Sequence, residues 1–393
     1  MHPAAAGAIA VGLLLSTLWP VLAAAQLAIS ANDNTLTLVD GEPKVVAEPP
    51  ANTISLIDLN VNPPALLGSI EVPTSVIGPP VSVAITPDES LALVTSGAKI
   101  DPGDPSRLVA DDRVSVVDLR ASPPALIAQI QAGAGAAGIS ISREGRLALV
   151  ANRNDGTVSV LQIEGHSVRN IDTVRVAKAE SGVAHVAIAP NGRTALVTRD
   201  GDHTISVLAI EADKVTYTGH DLGVGLKPYG IVIAPSGTEA VVANLGFGRG
   251  DNDTISLIDL TLEPPRAVET YTVGQTPEGL AISPDGRLVA VVIMNGSNRP
   301  KASAFYAPAG RVVLYRMNGG SLSRMADAYV GIWPQGAAFS RDGRTLLVQS
   351  MAERSIRVLR VGDDLGLTDT GQRIPLPGGG AALRTADQPL RLP

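Results

Sequence analysis

No cysteine occurs anywhere in the 393 residues. That absence excludes disulfides, thiolate metal sites, covalent c-type haem and a lipid-modified cysteine behind a leader. Positive charge is also scarce: 31 Lys and Arg face 38 Asp and Glu, for a formal net charge of −7. Without a basic stripe to neutralise phosphates, nucleic acid is not an expected partner. Aromatic residues make up only 3 % of the chain, so the few that fall outside strands carry information. Several catalytic signatures are missing too. There is no Gly-x-Ser-x-Gly elbow, phosphate-binding glycine loop, dinucleotide fingerprint or His-Glu-x-x-His.

Residues 3–25 hold no charged side chain, and 8–22 are apolar enough for the core of a signal peptide. Ala23-Ala24-Ala25 before Gln26 fits a small-residue cleavage site. Residues 1–25 are therefore read as a signal peptide and 26–393 as the mature chain, an uncleaved anchor being the alternative. Export without cysteine suits a bacterial envelope, with the periplasm expected first and secretion second. No membrane span is expected in the mature chain.

What is present is a repeat. Val83-Ala84-Ile85-Thr86-Pro87-Asp88 returns as Val186-Ala187-Ile188-Ala189-Pro190-Asn191 and as Leu280-Ala281-Ile282-Ser283-Pro284-Asp285, with related copies starting at Ile139, Ile231 and Ala337. The turns recur every ~45–57 residues, and each is followed by a second and a third run of β-formers. Third strands are expected at 53–59, 113–119, 157–163, 204–210, 254–260, 311–316 and 355–361. Four short strands per unit is the grammar of a propeller blade. Seven third strands exist, but only six first strands precede Arg341. The missing one is expected at 379–383, where Gly379-Gly380-Ala381-Ala382-Leu383 is similar to Gln335-Gly336-Ala337-Ala338-Phe339. The expectation is an all-β, seven-bladed propeller of four-stranded antiparallel blades. Its C-terminal strand completes the N-terminal blade and closes the ring.

Three segments carry a resemblance: Ser283-Pro284-Asp285-Gly286-Arg287, Leu149-Val150-Ala151-Asn152 and Asn52-Thr53-Ile54-Ser55-Leu56-Ile57-Asp58. They resemble the YVTN-type seven-bladed propeller family, in a superfamily similar in architecture to lactonases, to a dehydrogenase heavy chain and to plain binding modules. These motifs shape turns and strands and are not catalytic, so fold alone leaves the function open.

Long connections between second and third strands fall at 41–51, 97–112, 245–253 and 295–309, all on one face of the expected ring. The acidic tract Asp101 to Asp112 is expected to be a solvated loop. Tyr229, Phe247, Phe305, Tyr306 and Trp333 lie in the same face's connections, which suits a ligand pocket or an interaction patch. The residues just before the first strands approach the axis, and among them Tyr229, Glu278 and Gln335 stand out against Val81, Ala137 and Ala184. One position later His185 replaces the Gly or Ser of the other blades. Second strands end at Asn32, Asn152, Arg153, Arg199, Asp200, Asn244 and Asn295 on that face.

Two functions are compatible with this pattern. One is an exported module binding a small molecule or an envelope protein through Tyr229, Gln335, Trp333, Phe247, Phe305, Tyr306, Arg153 and Arg199. The other is a lactonase-like hydrolase or lyase, with Glu278 as base, His185 as proton donor and Arg153 or Arg199 steadying an oxyanion. The resemblance further implies a calcium ion held by Glu278 with Asn152, Asn244 or Asn295. The strand-ending Asn also has a purely structural reading. No other cofactor is expected. The hydrolase reading with His185 as proton donor needs Glu278 and His185 to converge on one cavity.

Overall fold

Seven four-stranded antiparallel sheets form a closed ring in the computed structural model, which describes residues 26–387. Each blade runs from an innermost strand at the central channel to an outermost strand at the rim. The innermost strands of blades two to seven are Val83–Ile85, Ala136–Ile141, Val183–Ile188, Pro228–Ile233, Pro277–Ile282 and Pro334–Phe339. Blade one takes its innermost strand, Gly379–Thr385, from the other end of the chain, paired antiparallel to Leu27–Asp33. The signal-peptide expectation for 1–25 lies outside the described residues. Among the described residues no helix is long and apolar enough to cross a membrane.

The strands form because each carries β-branched and aliphatic residues that both neighbouring blades can bury. In Asp253–Asp259, Ile255, Leu257 and Ile258 are all buried, and Ser256 is buried with them. A blade in the ring is covered on both faces, so strict alternation gives way to near-continuous apolar runs. The buried side chains sort into one cluster per blade interface. Leu91 and Val116 of blade two pack with Ile139 and Val150 of blade three, and Ile57 of blade one packs with Leu347 and Ile356 of blade seven. Stability thus comes from nearest-neighbour contacts repeated round the circle.

The turn between first and second strands places glycine where a left-handed residue is required. Gly286 has φ of 72° and its N–H bonds the Ser283 carbonyl at 2.8 Å. Blade two has Glu89 at the equivalent place, with φ of 54°.

Two of the long connections are not loops. Leu36–Val39 pairs with Glu42–Val45, and Ala98–Asp101 pairs with Asp104–Ala110. The expectation of a solvated acidic loop is corrected at Asp111. Its side chain is fully buried, bonded by Arg113 Nη2 at 2.6 Å and approached by Lys99 Nζ at 3.4 Å. The first hairpin reaches across the ring, and its tip at Gly41 lies against the Arg299–Pro300 backbone of blade six. Leu36 joins Val76, Met294, Trp333 and Met351 in a single apolar cluster, which roofs the long-loop mouth of the channel.

Candidate functional site

Below this roof, consecutive blades each supply one side chain. The repeat phase fixes this, because the residue entering each first strand is carried to the axis. Glu278 from blade six is 5 % exposed, and Gln335 Nε2 from blade seven donates to its Oε2 at 2.9 Å. Burial pushes the Glu278 carboxyl up to about 8, the Gln335 hydrogen bond pulling only weakly the other way. The other carboxyl oxygen has no hydrogen-bond partner among the described residues. Tyr229 from blade five is buried beside it. Burial raises its hydroxyl's pKa, Arg153 opposes that rise, and the Glu278 and Asp200 carboxyls add to it. The hydroxyl also lies against the Gly78 backbone.

Arg153, at the end of blade three's second strand, places its guanidinium 5.6 Å from the centre of the Tyr229 ring. Its Nη2 bonds Asp200 Oδ2 of blade four at 2.5 Å, and its buried Nη1 has no partner. Gln335 Oε1 and Trp333 Nε1 are likewise buried without partners. Five consecutive blades therefore converge on a buried polar cluster at the axis, hereafter the chamber: a guanidinium with a free N–H, a phenol, an amide and a carboxyl that is mostly protonated at pH 7.

His185 does not join this chamber. It is 2 % exposed, and its Nδ1 accepts the Ile231 N–H of blade five at 3.1 Å. Burial, with Arg384 adding to it, holds its pKa well below the ordinary value. The cavity it lines is bounded by Arg143, Pro190, Pro235, Pro284 and Arg384, at the turn-face end of the channel, and Glu278 does not line it. The two side chains share no hydrogen-bond partner. The convergence that the hydrolase reading asked of Glu278 and His185 is absent.

The other expected site residues divide. Arg199 is held within blade four by Asp202, by Asp221 at 2.8 Å and by Ser206 at 3.0 Å, not at the axis. Asn152 donates to Thr157 and Ser159 at 2.9 Å each, and Asn244 does the same to Thr254 and Ser256 at 2.9 and 3.0 Å. Asn32 repeats the arrangement with Thr53 and Ser55. These amides clamp the start of the third strand, which explains the recurring Thr-x-Ser. Asn295 donates to the Ala309 carbonyl at 3.1 Å. Among the described residues no group of three or more His, Asp or Glu is arranged to hold a metal ion. The Asn152 and Asn244 Nδ2 groups are engaged within their own blades, while Asn244 Oδ1 is buried without a partner.

The aromatics do not form one patch. Trp333 is buried in the roof, its backbone N–H bonded to Ser297 Oγ at 3.0 Å. Tyr306 is half-buried in the 295–309 connection. Phe247 and Phe305 are 52 % and 46 % exposed. Lys227 and Arg249 lie 5.7 and 5.9 Å from the Phe247 ring, and Phe305 packs on Gly250 of the same loop. Asp200 belongs to the chamber, although the sequence marks it only as a strand end. Its signal is its position one blade on from Arg153.

The sequence profile of a family described as "Lactonase, 7-bladed beta-propeller" matches residues 112–246. No curated protein matches the chain in sequence. Among solved structures, a putative 6-phosphogluconolactonase from Bacteroides fragilis NCTC 9343 superposes with a TM-score of 0.70 at 16 % identity, covering 94 % of this chain and 100 % of that one. This chain is a seven-bladed propeller, similar over 112–246 to that lactonase family. The periplasmic gluconolactonase of Pseudomonas aeruginosa and a functionally unknown protein from Desulfotomaculum acetoxidans each give a TM-score of 0.67 at 18 % identity, covering 92 % of this chain and 99 % of theirs. At such identities the likeness is one of fold, and the chemistry must be argued from the chamber.

Proposed function

We propose that this lactonase-like propeller hydrolyses a small lactone in the chamber formed by Arg153, Asp200, Tyr229, Glu278 and Gln335. The observation that carries the reading is the convergence, from five consecutive blades, of buried polar groups of which Arg153 Nη1 and Gln335 Oε1 lack hydrogen-bond partners. Burying such groups without partners costs ~1–3 kcal/mol each, and a ligand with matching polar atoms would supply them. The chamber's groups also match the reaction. Glu278, as carboxylate, takes a proton from a water through its unbonded oxygen, while Gln335 holds the other oxygen in place. The water oxygen attacks the ring carbonyl carbon, and Arg153 Nη1 donates to the oxyanion that forms. As the intermediate collapses the ring C–O bond breaks, and Glu278 returns the proton to the departing alkoxide. The product is a hydroxy acid. Asp200 keeps Arg153 oriented, and the roof of Trp333, Met294 and Met351 must open to admit substrate.

A carboxyl with a pKa near 8 is about one-tenth ionised at pH 7. Since the ionised form is the base, kcat/KM is expected to rise with pH and level off above about 8. The test is turnover of a panel of five- and six-membered lactones across pH 6–9, with Glu278→Gln and Arg153→Ala as variants. Export to the periplasm is part of the same proposal, supported by the apolar residues 3–25 and the Ala triplet before Gln26.

A second reading is favoured by the exposed Phe247 and Phe305 with Lys227 and Arg249 around them. Aromatic rings ringed by cations suit an acidic partner protein. It predicts partner capture that Phe247→Ala abolishes, with no lactone turnover by wild type.

A further inference from the structure

The turn-face end of the channel is separate from the chamber and has its own chemistry. Its apolar wall is made by Ile141, Ile188, Ile231, Ile282 and Phe339, with Gln26, Ser140, Ser283 and Thr385 completing the lining. Arg143 and Arg384 lie among them, and Asp387 is the one carboxylate in the lining. That carboxylate is mostly exposed and sits 3.7 Å from Arg384, too far for a tight pair. Arg143 Nη2 is engaged with the Pro235 carbonyl at 2.9 Å, which fixes the guanidinium at the wall.

His185 completes the site. Because Nδ1 accepts the Ile231 N–H, the proton of the neutral imidazole resides on Nε2. That N–H has no partner among the described residues, and the residue lines the cavity while almost wholly removed from solvent. A donor on a residue that lines the cavity, with no protein acceptor, is a feature that a ligand oxygen would satisfy. The cavity measures about 140 Å³, close to the ~150 Å³ apolar cavity that accommodates a benzene ring.

We propose that this cavity is a second binding site for a small amphipathic monocarboxylate the size of benzoate or hexanoate. The apolar body occupies the aliphatic wall. One carboxylate oxygen accepts the His185 Nε2–H and the other faces Arg384, whose position beside His185 also places positive charge there. An inorganic anion would leave the aliphatic wall unfilled, and a neutral ring would leave the guanidinium uncompensated. The site rests on none of the residues assigned to lactone hydrolysis.

Sodium benzoate titrated into the mature protein by calorimetry is the test, with benzyl alcohol and sodium sulfate as arms. Expected are 1:1 binding of benzoate, at least tenfold weaker binding of both comparators, and at least a tenfold loss in Arg384→Gln. Glu278→Gln is expected to bind benzoate as wild type does. A second readout needs no variant at the site: the His185 imidazole resonances should move on benzoate addition and stay fixed with sulfate. Three results would overturn the proposal. One is folded wild type that binds no benzoate. Another is benzyl alcohol binding as tightly. The last is benzoate binding that survives in Arg384→Gln and disappears in Glu278→Gln, which would place it in the upper chamber.

Discussion

Glu278 is a carboxyl that folding takes out of water, and this has a consequence for stability that does not depend on catalysis. Its folded pKa of about 8 lies above the ordinary 4.5, so between those values the native state holds a proton that the unfolded state has lost. Stability should therefore fall as pH rises from 5 to 8, by about 1.4 kcal/mol per unit for this one proton. Glu278→Gln removes the titration, so its unfolding free energy, followed by urea titration at several pH values, should decline less steeply over that range. Equal slopes would contradict the burial of this carboxyl. Gln335 acts through Glu278, and its hydrogen bond holds the carboxyl's pKa down. Gln335→Leu should move the inflection of the pH–rate profile to higher pH while leaving the plateau at high pH nearly intact. A uniform loss at every pH would mean that Gln335 supports only the fold. Glu278, Tyr229 and Gln335 are legible in the sequence as a group because the repeat fixes which residue of each unit reaches the axis. His185 is not, because one step further along the strand turns the side chain to a different environment. Its bond to the Ile231 N–H depends on inter-strand spacing that no sequence pattern displays. Arg199 falls outside the chamber for a similar reason, since a strand-end position does not reveal Asp202 and Asp221 waiting beside it.

At the scale of the strand, close approach of neighbouring innermost strands requires glycine just after the axial residue. A Cβ on Gly279 would stand 2.1 Å from the Gln335 carbonyl oxygen, and one on Gly230 would stand 2.7 Å from that of Glu278. The backbone must shift to accept either, so Gly279→Ala should destabilise by ~2–3 kcal/mol. A methyl group on Gly223 would meet nothing within 4 Å, and the backbone there is not left-handed. Gly223→Ala should stay within ~0.5 kcal/mol of wild type. Thermal unfolding of the pair measures the difference, and similar melting temperatures would refute the tight-ring account. The hairpins of the long-loop face are hidden in the sequence although one carries a cue. Leu36-Thr37-Leu38-Val39 and Glu42-Pro43-Lys44-Val45 flank Asp40-Gly41, an Asp-Gly pair between β-forming runs. The polar Glu42 and Lys44 make the segment read as loop. What the hairpin packs on, Met294 and Trp333 from distant units, is a long-range fact.

For the whole molecule the decisive feature is closure. Blade count and ring closure are readable because the two ends of the repeat array carry complementary parts of one blade, and the Gly379–Thr385 strand pairs where the repeat expects it. Removing residues 379–393 would strip Leu27–Asp33 of its inner partner and open the cluster that joins blade seven to blade one. The truncated chain should lose its cooperative melt and aggregate through the freed edge. Retention of a wild-type transition by calorimetry would show that the ring does not need this strand. Function is less legible than fold, since the motifs that repeat build blades, whereas the chamber is made of the residues that break the repeat.

Lactone hydrolysis by this chain rests on Glu278 acting as the base. The direct measurement is the rate of lactone opening by the mature protein, as a function of pH, beside folded Glu278→Gln. The account predicts turnover that rises to a plateau above about pH 8 and falls at least ~100-fold in the variant. Turnover unchanged by the substitution, or none from well-folded wild type over the whole panel, would contradict it.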